Sequence, residues 1–141
     1  MNLRVTTQTF DRAIPSDLTA AREVQTEIET VLQQAEFAER DIFAIKLAIE
    51  EALVNAIKHG NGMDANKKVR VNCRVCSERF EIHIADEGPG FDPEDVPDPT
   101  APENLERPCG RGLLLMRHYM TEVDYHDRGR SVRMAKVRNA V

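Results

Sequence analysis

"KKVRVNCRVCSERFEIHIAD", residues 67 to 86, decides the fold. Two runs, "KKVRVNCRVC" and "RFEIHIAD", alternate apolar and polar residues, the period of a half-buried strand. The link around Ser77 and Glu78 is short and polar, so the two runs read as a β-hairpin. Cys73 and Cys76 form a C-x-x-C inside the first run. Residues three apart on a strand point to opposite faces, and no second ligand pair follows, so they read as packing and surface thiols rather than a metal or redox site. The three cysteines are also an odd count for a disulfide framework.

Working outward, residues 2 to 10 read as a short strand with Leu3 and Val5 on one face. "PSDLTAAREVQTEIETVLQQAEF" is an amphipathic helix, with Leu18, Ala21, Val24, Ile28, Val31 and Ala35 at helical spacing and Ser16 or Asp17 as N-cap. Asp41 can cap a second helix running to about His59, with Gly60 as its stop. Downstream, residues 87 to 110 ("EGPGFDPEDVPDPTAPENLERPCG") are rich in proline, glycine and acids. A segment of that length inside a compact domain marks a functional lid or disorder. "RGLLLMRHYM" reads as a short apolar helix. "EVDYHD", Arg128-Gly129 and "SVRMAKVR" form a second hairpin. Strand, helix, helix, strand, strand, lid, helix, strand, strand is the order of an α/β (α+β) chain. It implies a two-layer α/β sandwich, a mixed and largely antiparallel sheet with helices on one face. It is not the βαβ alternation of a dinucleotide fold, so the glycines are not a Rossmann fingerprint.

The 141 residues show no repeat or linker and read as one domain, 1–141, long enough to bury a core without disulfides or a structural metal. With 41% apolar residues, 30% charged residues and a net charge of −5, the composition is that of a soluble globular protein and argues against nucleic acid as a partner. Lys46, Glu50 and Glu51 interrupt the one candidate apolar span, so no membrane is expected. "MNLRVTTQTF" lacks the apolar core of a signal peptide, and the expected location is cytoplasmic.

"IEEALVNAIKHGNG", residues 49 to 62, sets polar residues inside an otherwise buried helix. At about 100° per residue, Ile42, Ile45, Ile49, Ala52, Leu53 and Ala56 form the core-facing arc. Glu51, Asn55 and Lys58 share a separate stripe flanked by Ala44, Leu47 and Ala48. A carboxylate, an amide and an ammonium on a small-residue stripe read as the floor of a pocket. Glu50 lies about 100° from Glu51, on the side of Lys46, as a solvated charge. "ADEGPGF" then gives D-x-G-x-G after a strand, with Asp86, Gly88 and Gly90, where glycines admit close backbone approach. "CGRGLLLM" places Gly110, Arg111, Gly112 and Leu113 where a helix begins, an arrangement of N–H groups suited to phosphate. Either glycine pair alone is also compatible with a tight turn; the ordered set is the informative feature.

"EALVNAIKHG", "DEGPGFDP" and "GRGLLLM" resemble, in order, the N, G1 and G2 boxes of the GHKL ATPases with their Bergerat ATP-binding fold. Within that group the chain is most similar to the stand-alone anti-sigma-factor serine/threonine kinases of bacterial partner switching. The resemblance implies Glu51 as catalytic base, Asn55 as Mg²⁺ ligand and Lys58 as a phosphate contact. It implies Asp86 as the acceptor for the adenine amino group, with Gly88 and Gly90 beside it. Gly110, Arg111, Gly112 and Leu113 would form the loop near the phosphates, and residues 92 to 109 the ATP lid. Ser131 falls where the family has threonine near the adenine, although the family's "GTT" is "GRS" here. His59 matches a frequent family residue, with a packed histidine at the helix end as the alternative. The implied cofactors are ATP and Mg²⁺. The implied partners are an antagonist protein carrying a phosphorylatable serine or threonine, a sigma factor or other regulated target, and a second copy in a homodimer. The alternative function is an ATP-gated protein-binding module without significant phosphoryl transfer.

Overall fold

A computed structural model describes residues 7–89, 116–127 and 129–138 of the chain. Strand β1 (Gln8–Pro15) leads into helices α1 (Leu18–Gln34) and α2 (Glu39–Val54), and α2 continues as a π-helical segment over Asn55–Gly60. Strands β2 (Lys68–Val75), β3 (Arg79–Ala85), β4 (Glu122–His126) and β5 (Ser131–Val137) complete the described elements, with a short helical stretch at 116–119.

The five strands form one sheet in the order β1-β2-β3-β5-β4. Every neighbouring pair is antiparallel, so the described sheet is purely antiparallel rather than mixed. Alternation sends Val69, Val71, Cys73 and Val75 of β2, Phe80, Ile82 and Ile84 of β3, and Val132 and Met134 of β5 to one buried face. The two helices cover that face with Ile28 and Leu32 of α1 and Ile45, Ile49 and Leu53 of α2. Fully burying one such aliphatic side chain contributes about 1.5–3 kcal/mol, so this layer contact holds the fold together. Burial pushes the Cys73 thiol up to about 12. Cys76 lies just past the strand and donates from Sγ to the Arg79 carbonyl, so the C-x-x-C is indeed split between core and surface.

Several local expectations shift. The first strand is β1, Gln8–Pro15, rather than residues 2 to 10, of which 2–6 lie outside the described residues. It is an edge strand, and its charged "DRA" stretch hid it, since edge strands carry charges that weaken the alternation. Asp17 caps α1, its carboxylate accepting from Thr19 N–H at 3.0 Å. Asp41 does not cap α2: the cap position is Ala38, and Asp41 lies buried in the first turn, where Glu39 and Asp41 face the positive end of the helix dipole. Lys46 pairs with Glu29 of α1 at 3.2 Å, not with Glu50.

The far face of the sheet carries no described helix and is charged. Arg79 and Arg133 bond Glu81 and Glu122 across β3, β5 and β4, and Arg133 also reaches Asp124 at 2.6 Å. Arg138, beyond β5, donates to the carbonyls of Ala35 and Glu36 and lies over the Phe37 ring, tying the sheet to the α1–α2 corner. No helix among the described residues is long and apolar enough to cross a membrane.

Candidate nucleotide site

The site lies where the end of α2 meets the end of β3. Glu51 and Asn55 stand four residues apart at that end of the helix, on one face and half-buried. Burial pushes the Glu51 carboxylate above its ordinary value, Glu50 adds to the rise, and His59 partly opposes it. Glu50 itself is exposed, as its place on the wheel requires. The Asn55 amide makes no hydrogen bond to any described residue.

From Asn55 onward the helix is π rather than α, closing with Asn61 N–H to Ala56 O at 2.8 Å. A bond from residue i+5 to i takes one more residue into each ring, and such turns occur mostly where a helix carries function. The constant 100° spacing therefore fails beyond Asn55, and the expected Glu51–Asn55–Lys58 stripe holds only for its first two members. Lys58 and His59 are exposed, so the histidine is not packed into the helix end.

Gly60 ends this segment for a reason other than backbone handedness. The left-handed residues of this turn are Gly62 and Met63. Gly60 instead lies against the Asp86 carboxylate, where a Cβ would overlap it, and a Cβ on Gly88 would overlap the Gly60 carbonyl. Two glycines are thus needed for helix end and loop to touch. Asp86 accepts Gly88 N–H on Oδ1 at 2.8 Å, and Oδ2 receives no hydrogen bond from a described residue. Burial pushes the Asp86 carboxylate up, against the Gly88 N–H, Arg130 and Lys67, while Asp127 pushes it further up.

Two further residues shape the site. Asn61, only 3% exposed, accepts Glu87 N–H on Oδ1 at 2.7 Å and donates from Nδ2 to Ser16 Oγ and the Lys68 carbonyl, both at 3.0 Å. Ser16 in turn donates to the Lys67 carbonyl at 2.8 Å. Arg130 reaches the loop from the other side. In "HGNG" and "GRS" both residues read as turn chemistry; only the folded register reveals their targets. Ser131 pairs with Ala85 and His126, and its side chain lies on the charged face of the sheet, away from the Asp86 carboxylate. Gly90, Gly110, Arg111, Gly112, Leu113 and the expected lid at 92–109 lie outside the described residues.

The residues present fit a purine nucleotide: a partly desolvated carboxylate with one oxygen that no described residue bonds, held in place by a close glycine crossing. They also fit Mg²⁺. The unclaimed Asn55 amide offers one neutral oxygen, and no group of three or more His, Cys, Asp or Glu among the described residues could form a cage. Mg²⁺ keeps several waters and takes few protein ligands beside substrate phosphates.

Fold and site together define a nucleotide-binding domain with a half-buried carboxylate near the end of α2. The chain belongs to the histidine kinase-like ATPase domain family, whose model matches residues 14–136. It is similar to the serine-protein kinase RsbW of Bacillus licheniformis, 36% identical over 106 residues, covering 70% of this chain and 66% of that protein. It is also similar to the anti-sigma F factor of Clostridium perfringens, 33% identical over 101 residues, covering 67% of this chain and 71% of that one. Among solved structures, the RsbU and RsbW domains of Rv1364c from Mycobacterium tuberculosis share the fold. That match has a TM-score of 0.64 at 16% identity and covers 94% of this chain but 32% of the other. The chain thus spans about two thirds of the RsbW relative's length and about a third of the solved chain. Within the family it is an ATP-dependent protein kinase of the anti-sigma-factor type, and these relatives do not favour the module without phosphoryl transfer.

Proposed function

We propose that this chain, as a single domain, transfers the γ-phosphoryl group of ATP to a serine or threonine of a small antagonist protein. In its other state it sequesters a sigma factor or another regulated target. The observation that carries the reading is the desolvated Glu51 carboxylate, one helical turn before the unclaimed Asn55 amide and next to a loop that presents Asp86. Asp86 accepts the adenine amino group on its free oxygen. Asn55 holds Mg²⁺, which when bound neutralises charge on the phosphates. Glu51 accepts the proton of the attacking hydroxyl; the new bond joins that oxygen to the γ-phosphorus, and ADP leaves. A raised carboxylate pKa improves a base of this kind, and general-base assistance contributes about 10²- to 10⁴-fold. Lys58 and His59 stand at the exposed end of the same helix, near the phosphate side. Gly90, the loop of Gly110, Arg111, Gly112 and Leu113, and the lid at 92–109 complete the site on the strength of their motifs. The protein works in the cytoplasm as a homodimer, with protein rather than nucleic acid or membrane partners.

The test is incubation with γ-labelled ATP and candidate antagonist proteins, beginning with any encoded beside its gene. Label on a serine or threonine of the antagonist supports the reading. ATP-dependent complex formation without label returns it to the gated binding module.

A further inference from the structure

Arg130 is where the β4–β5 turn meets the loop after β3. Its carbonyl accepts Asp86 N–H at 2.8 Å, continuing the ladder of the sheet into the loop. Its guanidinium donates from Nε to the Gly88 carbonyl at 2.7 Å and from Nη2 to the Pro89 carbonyl at 3.4 Å. The remaining nitrogen, Nη1, bonds the Asp127 carboxylate at 3.2 Å within the turn. On the opposite side the loop is held by Asn61 through Glu87 N–H, and internally by Gly88 N–H on Asp86. Glu87 N–H, Gly88 N–H and the Gly88 and Pro89 carbonyls are thus each tied to one of three side chains, and Asp86 N–H to the Arg130 carbonyl.

We propose that Arg130 is a positioning residue for nucleotide recognition: it clamps the Gly88–Pro89 carbonyls so that Asp86 keeps its free oxygen turned to the ligand before the ligand arrives. The inference rests on the reading of Asp86 as the acceptor for the adenine amino group. A planar guanidinium spans two successive carbonyls and a carboxylate at once, whereas an ammonium is a point donor. Pre-ordering the loop removes a cost that binding would otherwise bear. Charge acts in the same direction. Asp86 is faced by Arg130 and Lys67, which favour its ionised form, and by Asp127, which disfavours it. Removing the guanidinium leaves Lys67 alone and releases Asp127 from its ion pair. Asp86 then takes up a proton at higher pH, and a protonated carboxyl is a poorer acceptor.

Calorimetric titration with ATP and GTP over a pH series tests this on the parent protein, Arg130→Gln, Arg130→Lys and Asp86→Asn. In Arg130→Gln the ATP affinity falls about tenfold, the size of one lost charge-assisted hydrogen bond. The loss appears in KM for ATP more than in kcat, and the acid edge of binding moves to higher pH. Arg130→Lys restores the acid edge and part of the affinity. Parent affinity and an unmoved edge in Arg130→Gln, with base preference lost in Asp86→Asn, overturn the clamp alone. Equal weakening in both Arg130 variants with no movement of the edge also overturns it. Unchanged affinity and base preference in Asp86→Asn overturn the underlying reading of Asp86.

Discussion

Glu51 and Glu50 are neighbours in sequence with different surroundings, and the difference is one of helix geometry. Glu51 is half-buried with a raised pKa, whereas Glu50 is exposed. Glu51→Gln should slow phosphoryl transfer by about 10²-fold or more with little loss of nucleotide affinity. Glu50→Gln should do little, and Asn55→Ala should weaken Mg²⁺-dependent binding itself. Single-turnover transfer paired with binding measurements separates the three. Stability without nucleotide gives a second readout. Since the folded protein holds the Glu51 pKa above 4.5, that group's contribution is fully present below 4.5 and is lost as pH rises through the raised value. Glu51→Gln should therefore stabilise the nucleotide-free protein at neutral pH, with the gain shrinking to nothing in acid. Urea denaturation at both ends of that range checks the sign. The shared, half-buried face of Glu51 and Asn55 was legible from residue type and helical spacing, because a carboxylate and an amide on a core helix depart from ordinary composition, and Asp86 was legible as a carboxylate at a strand end beside glycines. Asn61 and Arg130 were not, since asparagine and arginine in turns are common and their partners lie far along the chain.

At the scale of elements, the junction of the α2 end with the loop after β3 rests on an unusually close backbone crossing. Gly88 faces the Gly60 carbonyl, with backbone on both sides and no flexible side chain to yield. Gly62, two residues away from Gly60, has a φ of 61° but nothing within 4 Å of an added Cβ. Gly88→Ala should therefore abolish ATP binding and destabilise the fold by about 1–3 kcal/mol, as overpacking does. Gly62→Ala should cost about 1–2 kcal/mol through its left-handed backbone and leave ATP affinity unchanged. Parallel chemical denaturation and ATP titration distinguish a contact-limited glycine from a conformation-limited one; like behaviour in both assays would count against the crossing. Asn61→Ala strips the same junction of its side-chain bonds and leaves Glu87 N–H and the Lys68 carbonyl unpaired. A loss of about 3 kcal/mol in urea denaturation is expected, within the range for buried polar groups left unsatisfied. The helices were legible from their periodicity, with the exception of the π-helical segment. An extra residue in one turn leaves no mark in an apolar pattern that ends there, so Lys58 was placed on a stripe it does not share.

Across the whole molecule, carboxylates pull stability in two directions as pH changes. The two-layer plan was readable because alternation in β2 and β3 and 3.6-residue periodicity in α1 and α2 each define a single apolar face. The charged far face was not readable, because Arg79, Glu81, Glu122, Asp124 and Arg133 come together only through the register of β3, β5 and β4. There Arg79 and then Arg133 hold the Glu122 carboxylate down at about 2 from an ordinary 4.5. A lowered pKa contributes stability above 4.5 that is lost as pH falls through about 2, the reverse of the behaviour of Glu51 and Asp86. The nucleotide-free protein should therefore gain from protonation at its site while it loses from protonation on its far face. Glu122→Gln separates the two sets, because it leaves Glu51 and Asp86 in place. Its midpoint of unfolding should lie below the parent's at neutral pH, and the two should converge as the solution is acidified through the window from 4.5 to about 2. These groups are partly exposed, so raised ionic strength should shrink the neutral-pH gap, whereas the Glu51→Gln effect, which comes mainly from burial, should persist in salt. Thermal unfolding of both variants across pH at low and high salt reads all four quantities. A Glu122→Gln gap that widened on acidification would reverse the sign assigned to this network.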